Sequence, residues 1–142
     1  MGVIVSKSNV TLPATAYGRL PAVDQLEALR PRSSTVFTAV GYGLQRINPA
    51  HIEAALIRMR ADPHLIQINT GLRGSYSLLL SNNASTGGTC FGDSGGPNYL
   101  GSSNVVAGVT SFALNGTCGG TGGVFRLDRR DVLDFVGMYL GK

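Results

Sequence analysis

Tryptophan is absent from this sequence, histidine and cysteine occur only twice each, and charged residues are scarce. Only 14% of the 142 residues are charged, and 12 basic against 8 acidic side chains give a net charge of +4. The arginines are dispersed, and the longest basic run is the pair Arg129-Arg130. Because a nucleic-acid-binding surface needs clustered basic residues, the sequence predicts no nucleic-acid partner.

Long apolar runs are also missing. Aliphatic runs such as residues 2–5 and 78–80 are only a few residues long, whereas a membrane-spanning helix needs roughly 18 apolar residues. Polar residues 6–9 interrupt the opening before it could form the apolar stretch of about 7 to 15 residues that a secretory signal requires. The sequence predicts no membrane anchor, and this start gives no sign of export.

The two cysteines, Cys90 and Cys118, lie in segments rich in glycine and threonine, without the Cys-x-x-Cys or Cys/His spacing of a metal site. A disulfide and a pair of buried free thiols both fit this arrangement. In an oxidising compartment a disulfide between them would contribute about 3 to 4 kcal/mol of stability. Neither a metal nor an organic cofactor is predicted.

Glycine is abundant, with 20 residues, and the apolar share of 43% is enough for one core. This composition is typical of short strands joined by tight turns, so the chain is predicted to be a single, mainly β unit. The segment 48–62 fits either a helix that starts at Asn48-Pro49 or a strand from Ala55 onward, and we favour the strand. About six strands are predicted, near residues 36–40, 55–62, 65–68, 76–80, 105–112 and 123–127.

The first 32 residues have a different character from the rest. Pro13, Pro21 and Pro31 separate polar stretches, which predicts a connector with a short strand at residues 3–5 and one helical turn at residues 24–29. At the other end, apolar residues recur with helical spacing from Asp131 onward, which predicts a closing helix.

The segment Gly92-Asp93-Ser94-Gly95-Gly96-Pro97 is the one best suited to chemistry. A serine hydroxyl is a weak nucleophile that needs an exposed position, a base within reach and donors for the developing oxyanion. Glycines on both sides let the backbone fold tightly enough for successive N–H groups to converge. By itself, the pattern fits an ordinary Gly/Ser turn equally well.

The surrounding residues make the pattern specific. Residues 90–97 resemble the nucleophile loop of the chymotrypsin-like (trypsin-fold) serine proteases, and Gly41-Tyr42-Gly43 resembles the segment that opens their second barrel. The resemblance implies a six-stranded antiparallel Greek-key barrel with a C-terminal helix at residues 33–142, preceded at residues 1–32 by the last first-barrel strand and the inter-barrel connector. The Gly-Gly-Thr-Cys-Phe that precedes Gly92 is similar to the secreted bacterial branch of the family.

Residue roles follow from this resemblance. Ser94 would attack the scissile carbonyl, the N–H groups of Gly92 and Ser94 would form the oxyanion hole, and Asp93 would turn inward to hold the loop. Ser111 and Phe112 would flank the substrate. Cys118 would form the disulfide with the nucleophile loop at Cys90.

The resemblance also predicts specificity. Gly88 falls where the family has the residue at the floor of its primary pocket, and Gly88 with Thr89 offers no partner for a buried lysine or arginine. Cleavage after apolar or small residues is therefore expected. Ala113 replaces the usual glycine and would narrow the mouth, while Phe91 and Gly123 complete the predicted substrate-binding surface.

The catalytic histidine and aspartate of this family come from a first barrel that the sequence does not contain. His51 and His64, with Asp62, precede Ser94 in an order that would fit an alternative triad, but neither histidine has the family context, so each histidine is interpreted as a polar loop residue. The expected function is a serine-type endopeptidase represented by a fragment that is inactive alone, extracellular by resemblance, with a polypeptide substrate and the missing N-terminal barrel as partners. The alternative is a non-catalytic homologue that binds a peptide or partner protein.

Overall fold

A computed structural model describes residues 1–48, 51–69, 71 and 74–140, without the side chains of Asn48 and His51. These residues form nine strands and one α-helix, with 3-10 helices at Ala14–Ala16, Gln25–Ala28 and Gly74–Tyr76. The strands are β1 (Arg32–Gly41), β2 (Arg46–Asn48), β3 (His51–Glu53), β4 (Met59–Ala61), β5 (His64–Ile68), β6 (Ser77–Asn82), β7 (Pro97–Leu100), β8 (Val106–Ala113) and β9 (Gly120–Arg126), and the helix is α1 (Arg130–Gly137).

Six strands close into an antiparallel barrel in the order β1-β5-β6-β9-β8-β7, because β7 pairs back onto β1. β4 continues the β5 side of β1, with Ala39 opposite Ala61, and β2 and β3 form a separate hairpin. The prediction of an all-β, six-stranded antiparallel barrel with a closing helix is confirmed. None of the helices in the described part of the chain has the length and apolar character needed to cross a membrane.

The alternation of more and less buried side chains along a strand shows which of its faces lines the barrel interior. In β1, Thr35, Phe37 and Ala39 are buried while their neighbours are more exposed, as expected for a strand with one face on a core. The core contains side chains from most of the barrel strands and from the 3-10 helix Gln25–Ala28. Its fully buried members are Leu26, Phe37, Leu65, Leu78, Leu80, Ala107 and Val124.

Three predicted elements differ from the structure. The strand expected from Ala55 is shortened to β4, because only Ala39–Gly41 of β1 pairs with it and Pro63 interrupts the chain before β5. Residues 3–5 are exposed and form no strand in the described residues. β7 was not predicted. Its fully buried residue is the polar Asn98, which the closure of the barrel buries, so the segment lacks the alternation of apolar residues that predicts a strand.

The connector is attached to the barrel through a buried arginine. Arg126 is fully buried, and its guanidinium donates to both carboxylate oxygens of Asp128 at 2.9 and 2.8 Å. It also donates to Glu27 of the connector at 3.0 Å and to Asn69 beyond β5. Asp128 in turn accepts a hydrogen bond of 2.8 Å from the N–H of Leu26. Charged groups that are buried need such pairing, so this network holds the connector against the end of β9.

Candidate active site

The Ser94 segment lies in the connection between β6 and β7 and is anchored by a disulfide. Cys90 and Cys118 are bonded, with their Cα atoms 5.2 Å apart, so the predicted disulfide is confirmed and free thiols are excluded at these positions. Cys118 belongs to the connection between β8 and β9. The bond therefore joins the loop that follows β6 to the loop that follows β8, two strands that both pair with β9.

Asp93 points towards the body of the protein. Its Oδ1 accepts a hydrogen bond of 2.7 Å from the N–H of Gly43, and its Oδ2 accepts one of 2.8 Å from the N–H of Cys90. Gly41 lies so close to the carboxylate that a Cβ there would overlap it, and a Cβ on Gly43 would lie 2.7 Å from Cγ of Asp93. The Gly-Tyr-Gly segment after β1 is thus a glycine cradle for the aspartate beside Ser94.

The chain reverses tightly at Ser94 and returns to β8. Gly92 and Gly95 both have positive φ, at 97° and 82°, a conformation that favours glycine. Gly95 donates to the carbonyl of Thr110 at 2.9 Å, and Thr110 donates to the carbonyl of Gly96 at 2.9 Å. Ser94 itself is exposed.

Three groups near the tip of this loop have no partner within the described residues: the Ser94 hydroxyl and the backbone N–H groups of Gly92 and Ser94. An exposed hydroxyl beside unpaired N–H donors is the arrangement that acyl transfer requires, since those donors can bind an oxyanion. The geometry therefore permits the predicted roles of Gly92 and Ser94, and their assignment to those roles is proposed below.

The adjacent glycines Gly122 and Gly123 of β9 face opposite sides of the strand. A Cβ on Gly122 would lie 3.1 Å from Oγ1 of Thr89, whereas a Cβ on Gly123 would overlap the ring of Phe112. Sequence reasoning placed Gly123 on the substrate-binding surface, and the structure places it beneath Phe112. Gly122 is the glycine that faces Thr89, and no local pattern separates two adjacent glycines.

The floor of the predicted pocket has a second unforeseen feature. A Cβ on Gly88 would overlap the side-chain amide of Asn82, the last residue of β6. The Nδ2 of Asn82 donates to the carbonyl of Thr89 at 2.7 Å. The space that a side chain at Gly88 would take is therefore filled by an amide from a neighbouring strand.

Ser111 is exposed at an irregularity in the pairing of β8 with β9. Together with Gly95 and Thr110 it borders a cavity of about 500 Å³, whose other walls include residues 1–3 and Val136 of α1. This cavity adjoins the Ser94 loop. Ala113 is half-buried opposite Gly122, and Phe91 is exposed on the outside of the loop.

A second cavity, of about 580 Å³, is lined by both disulfide cysteines. It extends from Asp93 to Asn82, Gly88 and Thr89, and its walls are largely apolar. Within the described part of the chain, no cluster of three His, Cys, Asp or Glu side chains could hold a metal ion.

The residues considered as an alternative triad do not form one with Ser94 in the part of the chain that the structure describes. Asp62 accepts hydrogen bonds from Thr38 at 3.1 Å and from Arg60 at 3.0 Å, so its Oδ1 is engaged away from any imidazole. His51 and His64 are the first residues of β3 and β5, so their interpretation as loop residues is wrong, and the side chain of His51 lies outside the described residues. Ser94 has no hydrogen bond to a base here.

Solved structures provide a comparison for this fold. The chain is similar to a mutant of human heparin binding protein, with a TM-score of 0.67 and 21% identity over 96% of this chain and 56% of that one. It is also similar to HL collagenase, with a TM-score of 0.62 and 22% identity over 87% of this chain and 53% of that one. At such identities these likenesses show the fold alone.

A third structural relative is a scabies mite inactivated protease paralogue, with a TM-score of 0.57 and 13% identity over 87% of this chain and 53% of that one. The chain thus spans about half the length of the solved structures that it matches. The search among curated proteins gives no match. The family model described as Trypsin matches residues 6–129, well over half of the chain. On that match, and with the barrel, disulfide and serine loop described above, the chain belongs to the trypsin family.

Proposed function

We propose that Ser94 is the nucleophile of a serine endopeptidase that cleaves polypeptides by acyl transfer. The observation that carries this proposal is the Ser94 loop itself: an exposed hydroxyl, next to the unpaired N–H groups of Gly92 and Ser94. In the reaction, Oγ attacks the scissile carbonyl, its proton passes to a base, and the N–H groups bind the oxyanion.

The base and the group that orients it are the missing half of this mechanism. The trypsin-family reaction uses a histidine and an aspartate, and Ser94 contacts neither within the described residues. We propose that an N-terminal barrel supplies both, with residues 1–32 as the connector and residues 33–142 as the second barrel. Loss of the histidine from such a triad lowers turnover by about 10⁶, although a residual rate of about 10³ to 10⁴ over water survives.

The primary pocket is proposed to accept side chains without a positive charge. Gly88 contributes no carboxylate, and both oxygens of Asp93 are occupied by backbone N–H groups. A buried lysine or arginine side chain would have no partner there. The disulfide and the family further favour an extracellular protein, and the similarity to the secreted bacterial branch belongs to the same proposal.

A second candidate is a non-catalytic homologue that binds a peptide or a partner protein. It is favoured by the absence of a base beside Ser94 in the described residues and by the fact that one structural relative is an inactivated protease paralogue. In that case the pocket and the exposed loop would bind their partner without cleaving it.

Labelling with a fluorophosphonate probe separates these two candidates. If Ser94 is a nucleophile with oxyanion donors, the probe modifies it faster than it modifies other exposed serines such as Ser102, and excess imidazole accelerates the reaction by supplying the missing base. Peptide mapping identifies the modified residue, and Ser94→Ala removes the fast phase. Equal, slow labelling of Ser94 and Ser102 with no response to imidazole would refute the endopeptidase proposal and leave the binding module.

A further inference from the structure

Asn82 lies where the pocket-floor side chain of this family is expected. Gly88 has no side chain, and a Cβ built on it would lie 2.7 Å from Cβ of Asn82 and overlap the amide group. The sheet sets this position, because Asn82 ends β6 and pairs with Gly120 at the start of β9. The floor is therefore occupied by a residue six positions earlier in the chain.

The orientation of the amide is defined by one hydrogen bond. Nδ2 of Asn82 donates to the carbonyl of Thr89 at 2.7 Å, which leaves Oδ1 on the side of Gly88. Oδ1 accepts no hydrogen bond within the described residues, although Asn82 is half-buried. An unpaired acceptor that lines a cavity can take a hydrogen bond from a bound group.

We propose that Asn82 is the specificity-determining residue of the primary pocket. Its Oδ1 accepts a hydrogen bond from a neutral donor at the end of the bound side chain, and the hydroxyl of tyrosine is the simplest such group. The amide carries no charge, so it does not compensate a buried lysine or arginine. This inference rests on the proposed function, because it takes Gly88 and Thr89 as the floor of a substrate pocket.

Small side-chain analogues test the proposal on the chain itself, without catalysis. Toluene, p-cresol and benzamidine stand for phenylalanine, tyrosine and arginine, and their dissociation constants are measured by NMR titration. We expect p-cresol to bind about five- to tenfold more tightly than toluene, the ratio that one neutral hydrogen bond supplies. Shifts at Gly88 and Thr89, which line the same cavity as Asn82, locate the ligand in the pocket.

Asn82→Ala should reduce the p-cresol preference to about parity with toluene, because no acceptor remains at the floor. The matched control is Asn83→Ala, which removes the same amide from a residue that lines the same cavity. An NMR spectrum of each variant establishes that it is folded. A preference that survives Asn82→Ala, or that Asn83→Ala also abolishes, overturns the proposal.

A carboxylate introduced at position 88 tests the position of the Asn82 amide directly. Gly88→Asp alone should gain no benzamidine binding, because its side chain overlaps Asn82, whereas Gly88→Asp combined with Asn82→Ala should bind benzamidine at least about tenfold more tightly than the parent chain. Equal binding by the single and double variants would show that Asn82 does not fill the floor. These binding measurements need no reaction at Ser94, so a failure here is distinct from a failure of Ser94 labelling.

Discussion

Oδ1 of Asp93 accepts a hydrogen bond of 2.7 Å from the backbone N–H of Gly43, across 50 residues of sequence. With the second bond to the N–H of Cys90, both carboxylate oxygens are satisfied from within this chain. The residue next to the proposed nucleophile is therefore bound on one side to the segment that follows β1 and on the other to the disulfide loop.

Replacing Asp93 with alanine tests how much this pairing stabilises the protein. Two hydrogen bonds to a carboxylate are lost, and two backbone donors are left unpaired, so we expect the free energy of unfolding to fall by about 2 to 4 kcal/mol. Urea denaturation followed by circular dichroism measures it. Asp134→Ala, at an exposed position of α1, is the control and should change stability little. Equal losses in both variants would contradict the structural role of Asp93.

The glycine cradle gives a second prediction. A methyl group at Gly41 has no space beside the Asp93 carboxylate, so Gly41→Ala should destabilise the protein by about 2 kcal/mol and slow the labelling of Ser94. Gly116→Ala is the matched control, because nothing lies within 4 Å of a Cβ there. Denaturation and probe labelling of both variants, side by side, check the prediction, and an unchanged labelling rate in Gly41→Ala would count against it.

Reduction of the disulfide should lower stability. Cys90 and Cys118 close a loop with a sequence separation of 28, and opening a loop of this size costs about 3 to 4 kcal/mol in the chain-entropy model. Thermal unfolding with and without a reducing agent measures the loss. The double variant Cys90→Ala/Cys118→Ala should show the lower stability from the start and no response to reduction. A response in that variant would mean that the reductant acts elsewhere.

The ion-pair network around Glu27 predicts a dependence on pH. Burial raises the pKa of Glu27, but hydrogen bonds from Asn69 and Arg126 and the charges of Arg126 and Arg129 outweigh it and hold the pKa below its ordinary value. The pKa of Glu27 is lower in the folded than in the unfolded state. Glu27 therefore contributes to the free energy of unfolding above its unfolded-state pKa, and this contribution is lost as the pH falls through its folded-state pKa.

Glu27→Gln should therefore be less stable than the parent chain near neutral pH. Its free energy of unfolding should also fall less than that of the parent chain as the pH is lowered. Denaturation at a series of pH values from about 7 down to about 3 gives the two profiles. Glu53→Gln is the control, since its side chain makes no ion pair in the described part of the chain. If the free energy of unfolding of Glu27→Gln and of the parent chain changed with pH in parallel, the stabilising role of the Glu27 carboxylate would be refuted.

Much of the fold could be predicted from local pattern. The alternation in residues 36–40 and the helical recurrence after Asp131 predicted β1 and α1, because each reflects the period of a single element. β7 and the β2–β3 hairpin could not be predicted in this way. They are short, and their positions depend on pairing partners, such as Phe37 opposite Leu100, that are distant in sequence.

The sequence by itself determined the Ser94 loop, because the residues that let the backbone turn around Ser94 are contiguous and their pattern is specific. Only the tertiary structure decided what surrounds that loop: Gly43 beneath Asp93, Gly122 rather than Gly123 facing Thr89, and Asn82 in the space left by Gly88. The physical reason is register. Which side chain reaches the site from another strand depends on pairing across the barrel, and no local pattern encodes that pairing.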